Sequence, residues 1–356
     1  MNTIASFLTR MIFLRFVTIL ACITLFVLTL EVVGYVSEIL KLDTSSVAAI
    51  THYTVWRSPG VLAVFLPMSL LLALLLAITE LSFRNEMTAI FAAGISPARI
   101  IIMLLPLALL VGGLQFILLD RAVPATTPTL KIWGIGDYAK NKINVENSDP
   151  VWIRSGNDIM RATKVSNDGK HLDGVIIFKR DAQGELKEQI HAASAEQNEG
   201  RWRLEKVVVY YNGSETPTRL DSLIYSGSLR PAGANRTGDP EDMTLGELDD
   251  FIANQGYGVR PVFVYQTAWH KRIASLTIAL VMIMLCIPLA AKFRRGGGLG
   301  ILFALGVALG FLFFISDGIS TTLGELGIVP PMLSAWAPLL IFAAIGVSFI
   351  ARTERV

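Results

Sequence analysis

Long apolar runs and one long polar interval divide the chain into three parts. Three apolar runs come first, a mostly polar interval follows, and three further apolar runs complete the chain. A membrane-crossing helix needs roughly 20 predominantly apolar residues, and a bilayer offers no water to unpaired backbone groups. We therefore predict an α-helical polytopic membrane protein with six transmembrane helices. The predicted spans are Phe13–Val36, Val61–Phe83, Ala98–Leu119, Ile273–Ala291, Gly300–Ile315 and Leu333–Ile350.

The polar interval between the third and fourth spans has a different periodicity. From Val151 onward, apolar and polar residues alternate over short stretches that clusters of Gly, Asn, Asp and Ser separate. Such alternation indicates half-buried strands, and many short strands at regular spacing are typical of an antiparallel sandwich or roll. The two cysteines, Cys22 and Cys286, fall in predicted spans. We therefore expect an all-β domain that folds without disulfides.

These changes of pattern set the predicted domain boundaries. Residues 1–123 hold helices one to three, with a short cytoplasmic helix at 84–97 between the second and third. Residues 124–240 form the β-domain, and residues 241–268 form a junction helix and a linker. Residues 269–356 hold helices four to six.

Basic residues near the span ends predict the orientation. Lys and Arg favour the cytoplasmic side, and with six spans the basic groups at these ends all fall on one side. We therefore expect cytoplasmic N- and C-termini and an outside β-domain, which is periplasmic in the inner membrane of a Gram-negative bacterium. The loop after span one fits less well, because it holds Lys41, His52 and Arg57. The basic groups are Arg10 and Arg15; Arg84 and Arg99; Lys292, Arg294 and Arg295; and Arg352 and Arg355.

Neither the charge nor the motifs indicate a nucleic-acid-binding protein or an enzyme. The formal net charge is +2, with no basic stripe for a nucleic acid. The sequence GIGD at Gly134–Asp137 resembles the GxGD of intramembrane aspartyl proteases, but the second intramembrane aspartate that such chemistry needs is absent. No GxxxxGK[ST], HExxH or GxSxG motif occurs, and the four histidines have no metal-ligand spacing. We predict no catalytic residue, metal or cofactor in this chain.

The segment Arg84–Ile100 predicts a short cytoplasmic helix that Gly94 and Pro97 terminate. One interpretation is an interfacial connector with an ordinary acidic residue in its first turn. The other is a coupling helix that inserts into a groove of a cytoplasmic motor subunit, where small residues permit close approach and a carboxylate meets a basic residue. The candidate coupling residues are Arg84, Glu86, Ala93 and Gly94.

Charged residues inside or beside the spans are the second group of candidates. Glu31 lies within span one, and such a residue faces a partner or a polar cavity because lipid penalises its charge. It therefore either pairs structurally with another subunit or contributes to a functional cavity. Glu80 suits an interfacial position, and Asp120 can pair with Arg121. Basic residues at the outer rim serve as interfacial anchors or as contacts for anionic headgroups. They are Lys41, Arg57, Arg121 and Lys131.

Motifs along nearly the whole chain resemble one family, the LptF/LptG permeases of the lipopolysaccharide-export ABC transporter. The first is VFLPMSLLLALLLAITELSFRNEMTAIFAAGIS, across span two and the short helix. The second comprises VWIRSGNDIMRATKV, GVIIFKRD and GRWRL in the β-domain. The third, GFLFFISDGISTTLGELGIVPPMLSAWAPLLIF, is more similar to the LptG branch than to LptF.

The resemblance implies a jellyroll-like periplasmic domain and a transport function. It implies a heterodimer with LptF, a pair of LptB ATPases that bind ATP and Mg²⁺, and contacts with LptC. It further implies lipopolysaccharide as the substrate, which is extracted from the inner membrane and passed along a periplasmic LptA bridge. Competing hypotheses are a permease of another envelope-lipid or lipoprotein-release ABC system, an envelope-lipid enzyme, and a structural anchor.

The resemblance transfers residue roles unevenly. Glu86 matches the coupling-helix carboxylate that contacts LptB, Lys41 matches one of two adjacent lysines after span one, and Lys131 matches a basic position beyond span three. We expect headgroup recognition to use other residues as well, with Arg57 and Glu31 as candidates, or to serve a less phosphorylated lipid A. This is because three family lysines have no counterpart here, at Gly34–Tyr35, at Leu42 and at Gly60.

Overall fold

The computed structural model describes residues 2–43, 45–141, 151–155, 157–166, 170–181, 183–198, 201–213, 216–225, 239–253, 260–292 and 299–354. The chain forms two compact units. The helical unit comprises Met1–Thr126 and Gln266–Val356, and the second unit, Thr127–Tyr265, contains the strands. Three arginines used above for the orientation lie outside the described residues: Arg294, Arg295 and Arg355.

Six helices in the described part of the chain are long and apolar enough to cross a membrane, which confirms the six predicted spans. They are α1, α3, α5 continued by α6, α8, α9 and α10. A π-helical turn, Leu118–Ala122, joins α5 to α6. The helices are α1 (Asn2–Gly34), α2 (Val36–Ile39), α3 (Ser46–Phe83), α4 (Glu86–Ala92), α5 (Pro97–Ile117), α6 (Val123–Trp133), α7 (Leu245–Ala253), α8 (Val262–Lys292), α9 (Leu299–Glu325) and α10 (Pro331–Glu354).

Several helices extend beyond the apolar runs that predicted them. The second span begins at Ser46 and not at Val61, because α3 continues through a more polar segment. Within that segment the hydroxyls of Thr51 and Thr54 donate to backbone carbonyls one turn earlier, at 2.8 and 2.7 Å. Hydropathy marks only the apolar part of a helix, so the predicted boundaries follow the apolar run and miss its polar extension.

Two prolines inside the long helices free backbone carbonyls that polar side chains of neighbouring helices satisfy. Pro67 cannot donate to the carbonyl of Ala63, which instead accepts a 2.9 Å hydrogen bond from Gln115 Nε2 of α5. Pro338 likewise frees the carbonyl of Ser334, which accepts from the Ser320 hydroxyl at 2.7 Å. Because lipid cannot hydrogen-bond a freed carbonyl, these contacts make the prolines tolerable and also join neighbouring helices.

Small residues allow α9 to pack closely against α3. A side chain at Gly306 would overlap the side chain of Leu75, and one at Gly310 would overlap that of Leu71. The two glycines are four residues apart and therefore lie on the same face of α9. This small-xxx-small arrangement is typical of close contacts between membrane helices, where packing and not the hydrophobic effect stabilises association.

The described residues of the second unit form one six-stranded antiparallel sheet, which confirms the all-β domain predicted between helices three and four. The strands are paired in sequence order as a meander. They are β1 (Val151–Ser155), β2 (Asp158–Val165), β3 (His171–Arg180), β4 (Leu186–Asn198), β5 (Arg201–Tyr211) and β6 (Thr218–Tyr225).

The sheet curls into a roll. Tyr225, at the end of β6, donates its hydroxyl to Asp158 Oδ2 at the start of β2, with a distance of 2.7 Å. β2 and β6 are four strand-to-strand steps apart, and this separation would be about 19 Å in a flat sheet. One side chain joins them only because the sheet bends until its two sides meet. The face inside the roll is apolar and almost fully buried, and it includes Met160, Ile177, Ile190, Trp202, Leu204 and Val209.

A crease crosses the roll at right angles to its strands. The registers on both sides place Thr163, Gly174, Ala193, Lys206 and Asp221 side by side on five neighbouring strands. Gly174 has a φ of 60° and Lys206 a φ of 51°, so two strands carry a left-handed residue in this row. The register is the same on both sides of the row, so no extra residue is inserted, and the left-handed residues reorient the strands in place.

The crease shifts the alternation of buried residues by one position. On β5, Trp202 and Leu204 are buried before the crease, and Val207 and Val209 are buried after it. Without a shift, a strand that buries position 204 would expose position 207 on the opposite face. The crease therefore keeps the apolar side chains inside the roll along the whole strand.

We expect opposite effects from two substitutions in this row. Lys206→Gly should raise the free energy of unfolding by about 1 kcal/mol, because only glycine adopts a positive φ without a steric penalty. Gly174→Ala should lower it by about 2 kcal/mol, because φ remains positive and the added carbon would lie 2.5 Å from Thr163 Oγ1. Chemical denaturation of the purified full-length chain in detergent measures both changes.

A matched control separates backbone strain from side-chain effects in that experiment. Lys206→Ala removes the same side chain but keeps the positive φ, so it should leave the free energy of unfolding close to that of the wild type. Equal stabilisation by Lys206→Ala and Lys206→Gly would contradict the explanation based on strain.

Candidate functional site

The connection between the second and third spans presents a short, anchored helix. Asn85 adopts a left-handed conformation, with a φ of 58°, and reverses the chain before α4 begins at Glu86. Asparagine tolerates this conformation better than most residues. Met87 and Phe91 are buried in the helical unit. These two side chains therefore fix α4 against the unit and determine which of its faces points outward.

The fully exposed residues of α4 and of the two positions that follow it all have small side chains. Gly94 has a φ of 82° and ends the helical segment, as the sequence predicts. Ser96 then caps α5 by accepting from the backbone N–H of Arg99 at 3.3 Å. A surface built in this way permits close approach by another protein. Its exposed residues are Thr88, Ala89, Ala92, Ala93 and Gly94.

Two of the candidate coupling residues have separate surroundings. Glu86 is half-buried in the first turn of α4 and forms no ion pair with any residue that the structure describes. Arg84 points back to α3, where its Nη2 lies 2.8 Å from Glu80 Oε1. Glu80 also contacts Arg15 of α1, so it connects two helices and is more than an interfacial residue. Of the two charged candidates, Arg84 is therefore paired with Glu80, whereas Glu86 has no ion-pair partner in the described part of the chain.

Glu31 and Arg57, predicted as separate candidates, form one ion pair between α1 and α3. Arg57 Nη2 donates to Glu31 Oε1 at 2.7 Å, and Arg57 Nε donates to Glu31 Oε2 at 2.8 Å. The partner of Glu31 is therefore in this chain, which removes the need for a pairing residue in another subunit. Both side chains remain partly exposed, Arg57 by 18% and Glu31 by 21%.

The structure corrects the role predicted for Lys131. Its side chain is only 3% exposed and lies in the second unit. Its Nζ donates to Asp239 Oδ2 at 2.6 Å and to Asp242 Oδ2 at 2.7 Å. A lysine buried between two carboxylates has no surface for an anionic headgroup. Lys131 therefore joins α6 to the segment before α7, and it is not a rim contact.

Lys41 remains an accessible basic residue of the predicted set. It is exposed in the turn after α2, and it forms no ion pair with any residue in the described parts of the chain. Lys41 is therefore available to a ligand, whereas Lys131 is not.

Sequence reasoning missed two charged contacts that hold α8 to its neighbours. Arg272 Nη1 lies 3.4 Å from Asp120 Oδ1 in the π-helical turn, and both side chains are only 7% exposed. Lys271 contacts Asp317 of α9. The simple pairing of Asp120 with Arg121 is therefore incomplete, since Arg121 is 77% exposed and Arg272 shares the carboxylate. The sequence contained a sign of the second contact. Asp317 follows the apolar run of span five almost directly, and α9 continues through it to Glu325.

The first and fifth spans present broad apolar faces outside this chain. The most apolar window of α1 is 28% buried and that of α9 is 22% buried, against 67% for α3 and 72% for α8. Exposed side chains on these faces include Leu25, Phe26 and Val33 on α1 and Phe311, Leu312 and Ile315 on α9. In a membrane protein such faces contact lipid or a neighbouring subunit. Within the described residues, no group of His, Cys, Asp and Glu is arranged to hold a metal ion.

Comparison with known proteins gives a consistent result over the whole chain. The model of the lipopolysaccharide export system permease LptF/LptG family matches residues 6–352. The permease protein LptG of Haemophilus influenzae is 25% identical over 320 residues, which cover 82% of this chain and 84% of that protein. The permease protein LptG of Escherichia coli K12 is 22% identical over 354 residues, which cover 95% of each chain.

The family match and the fold agree in their implications. The matched residues include the six candidate spans and the β-domain between the third and the fourth. Both of these relatives are called LptG, which agrees with the C-terminal motif. Together with the six apolar helices, the match identifies a multi-pass inner-membrane protein. The chain belongs to the LptF/LptG family of lipopolysaccharide export system permeases and is LptG-like within it.

Proposed function

We propose that this chain is the LptG-type permease subunit of an ABC transporter that exports lipopolysaccharide. The match of one permease family to residues 6–352 carries this proposal. The chain pairs with LptF, two LptB ATPases bind and hydrolyse ATP below the membrane, and LptC and an LptA bridge receive the lipid. The N- and C-termini are cytoplasmic and the β-domain is periplasmic. The chain itself catalyses no reaction and holds no cofactor.

The topology favours this function over lipoprotein release. Permeases of the lipoprotein-release type usually have four spans, with the extracytoplasmic domain after the first. Here the described part of the chain has six candidate spans, and the strands follow the third. A lipid-extracting permease also suits the apolar faces of α1 and α9, which can line a cavity open to the outer leaflet together with LptF.

The short helix α4 is the proposed coupling element. Its buried Met87 and Phe91 transmit force to the helical unit, and its small outer face fits a groove of LptB. Glu86 supplies the charge for a basic residue of the ATPase. Such a contact explains how a chain without a nucleotide-binding motif uses ATP hydrolysis in a neighbouring subunit.

Extraction of the lipid requires this external work. Each acyl CH₂ group removed from the bilayer costs about 0.8 kcal/mol, so several long chains cost far more than thermal energy supplies. Closure of the cavity by LptB moves the lipid toward the β-domain. There the apolar inner face of the roll receives the acyl chains. For the chains to enter from the side, the roll opens where Tyr225 meets Asp158.

Purification of the tagged full-length chain from its native membrane tests the proposed function. We expect an LptF-like permease, an LptB-like ATPase and lipopolysaccharide to copurify. Reconstituted vesicles of that complex should release lipopolysaccharide to a soluble acceptor only with ATP. Recovery of the chain with a lipoprotein and a different ATPase, or ATP-independent release, would contradict the proposal.

A further inference from the structure

The ion pair between Glu31 and Arg57 has properties that a purely structural contact does not need. It is bidentate, with distances of 2.7 and 2.8 Å, yet both side chains are partly exposed. Glu31 lies in the last turn at the end of α1, and Arg57 lies in the polar initial part of α3, before the apolar run that begins at Val61. Successive spans run in opposite directions, so these ends lie on the side of the membrane from which the chain continues into the strands. The pair is therefore at the rim of the bilayer, where lipid headgroups are present.

A glycine lets the guanidinium lie close to the backbone of α3. A carbon added at Gly60 would lie 2.9 Å from Arg57 Nη1, so any larger residue there would press on the guanidinium. The two hydrogen bonds to Glu31 given above use Nη2 and Nε, which form one edge of the group. Gly60 thus accommodates the guanidinium in the position where it binds Glu31, at the partly exposed surface of the pair.

The carboxylate changes which anions can bind Arg57. An arginine alone at a membrane rim would bind the phosphate of any anionic phospholipid, since guanidinium groups bind phosphates and carboxylates in the same bidentate geometry. A phosphodiester carries one negative charge, as Glu31 does, and gains nothing by replacing it. A phosphomonoester carries about −1.5 to −2 charges and three acceptor oxygens, so it offers the guanidinium a stronger partner.

We infer that Glu31 is a selectivity residue: it keeps Arg57 from binding phosphodiester lipids and is displaced by lipids with a phosphomonoester group. This inference deepens the proposed function and rests on it, because it assigns to the rim of the permease the rejection of ordinary membrane phospholipids. Specificity of this kind arises from competition against the wrong ligand and not from added contacts to the right one.

Lipid binding by the purified permease complex in nanodiscs tests the inference. The discs contain phosphatidylcholine with either phosphatidylglycerol, a phosphodiester, or phosphatidic acid, a phosphomonoester, and native mass spectrometry counts the retained anionic lipid. We expect the wild type to retain more phosphatidic acid than phosphatidylglycerol. Glu31→Gln should raise retention of phosphatidylglycerol about tenfold, the factor that corresponds to roughly 1.4 kcal/mol. Arg57→Gln should abolish the preference by weakening binding of phosphatidic acid.

Two control variants make the result specific to the pair. Glu38→Gln removes an exposed carboxylate from the neighbouring helix α2 and should leave lipid selectivity unchanged. Glu31→Asp retains the charge and should retain the preference, so it also provides a test if Glu31→Gln is poorly expressed. An unchanged preference in Glu31→Gln, or an equal change in Glu38→Gln, would overturn the inference.

Competition with inorganic phosphate shows whether the site binds a lipid or a free anion. A comparison with lipopolysaccharide release shows whether the selectivity role or the whole proposed function is wrong. Inorganic phosphate added to the same discs should not displace phosphatidic acid, and displacement would overturn the assignment to a lipid. If Glu31→Gln leaves selectivity unchanged while the wild-type complex still releases lipopolysaccharide with ATP, the selectivity role is wrong and the proposed function stands. If the wild type lacks that release, the proposed function itself fails.

Discussion

Replacing Glu86 with alanine should abolish ATP-dependent release of lipopolysaccharide from the reconstituted transporter. Glu86 is half-buried, stands in the first turn of α4, and lacks an ion pair among the described residues. Truncating one partner of a desolvated charge pair across an interface costs about 2–5 kcal/mol. We therefore expect at least a tenfold loss of ATPase binding by the permease, measured by copurification, with a parallel loss of lipid release.

The expected effect is local to α4, and a neighbouring residue provides the control. Arg84→Ala removes a charge that is 61% exposed and directed to Glu80, so release should remain within about twofold of the wild type. Glu86→Gln keeps the size of the side chain and should reproduce the loss if charge is the cause. Normal assembly and normal ATP-dependent release in Glu86→Ala would exclude the coupling role.

The six spans were predictable because long apolar runs leave the chain one option in a bilayer. No tertiary information is needed to decide that such a run is helical and crosses the membrane. The ends of the helices depend on other factors. The extension of α3 back to Ser46 passes through a more polar segment, in which the hydroxyls of Thr51 and Thr54 donate to backbone carbonyls one turn earlier. Hydropathy contains no signal for these bonds.

The charged contacts were predictable only where the chain brings the partners together locally. Glu31 and Arg57 are 26 residues apart on two consecutive membrane-spanning helices, so the hairpin brings them near each other, although their pairing was not predicted. Lys131 and its partners are 108 and 111 residues apart, on opposite sides of the whole sheet in the sequence. A basic residue just beyond a span has the same local pattern whether it is exposed or buried, so the sequence predicted a rim position.

The crease in the roll shows an intermediate case. The positions of Trp202, Leu204, Val207 and Val209 in the sequence already contain the shift in alternation. A strand pattern that changes phase indicates an irregular residue in the strand, but the sequence does not say whether neighbouring strands are irregular at the same level. Only the registers place Lys206 in the same row as Gly174 and thereby make one crease from separate irregularities.

Replacing Lys131 with methionine should lower the free energy of unfolding of the second unit by about 3–5 kcal/mol. The substitution removes the ammonium group that lies between Asp239 and Asp242, and Asp242 is fully buried. Arg260 contacts Asp239 but is itself 45% exposed, so it cannot replace the lost charge at Asp242. Methionine fills a similar volume, which limits the loss from packing. Chemical denaturation of the purified full-length chain in detergent measures the change.

Two further variants decide between a structural lysine and a lipid contact. Adding Asp242→Asn to Lys131→Met restores charge balance and should recover part of the lost stability, because the cost arises from an uncompensated buried carboxylate. Lys164→Met removes an exposed lysine from β2 and should change the free energy of unfolding by no more than about 0.5 kcal/mol. If Lys131→Met instead preserves stability and weakens crosslinking to lipopolysaccharide, Lys131 reaches the lipid and its burial between two carboxylates does not describe the working transporter.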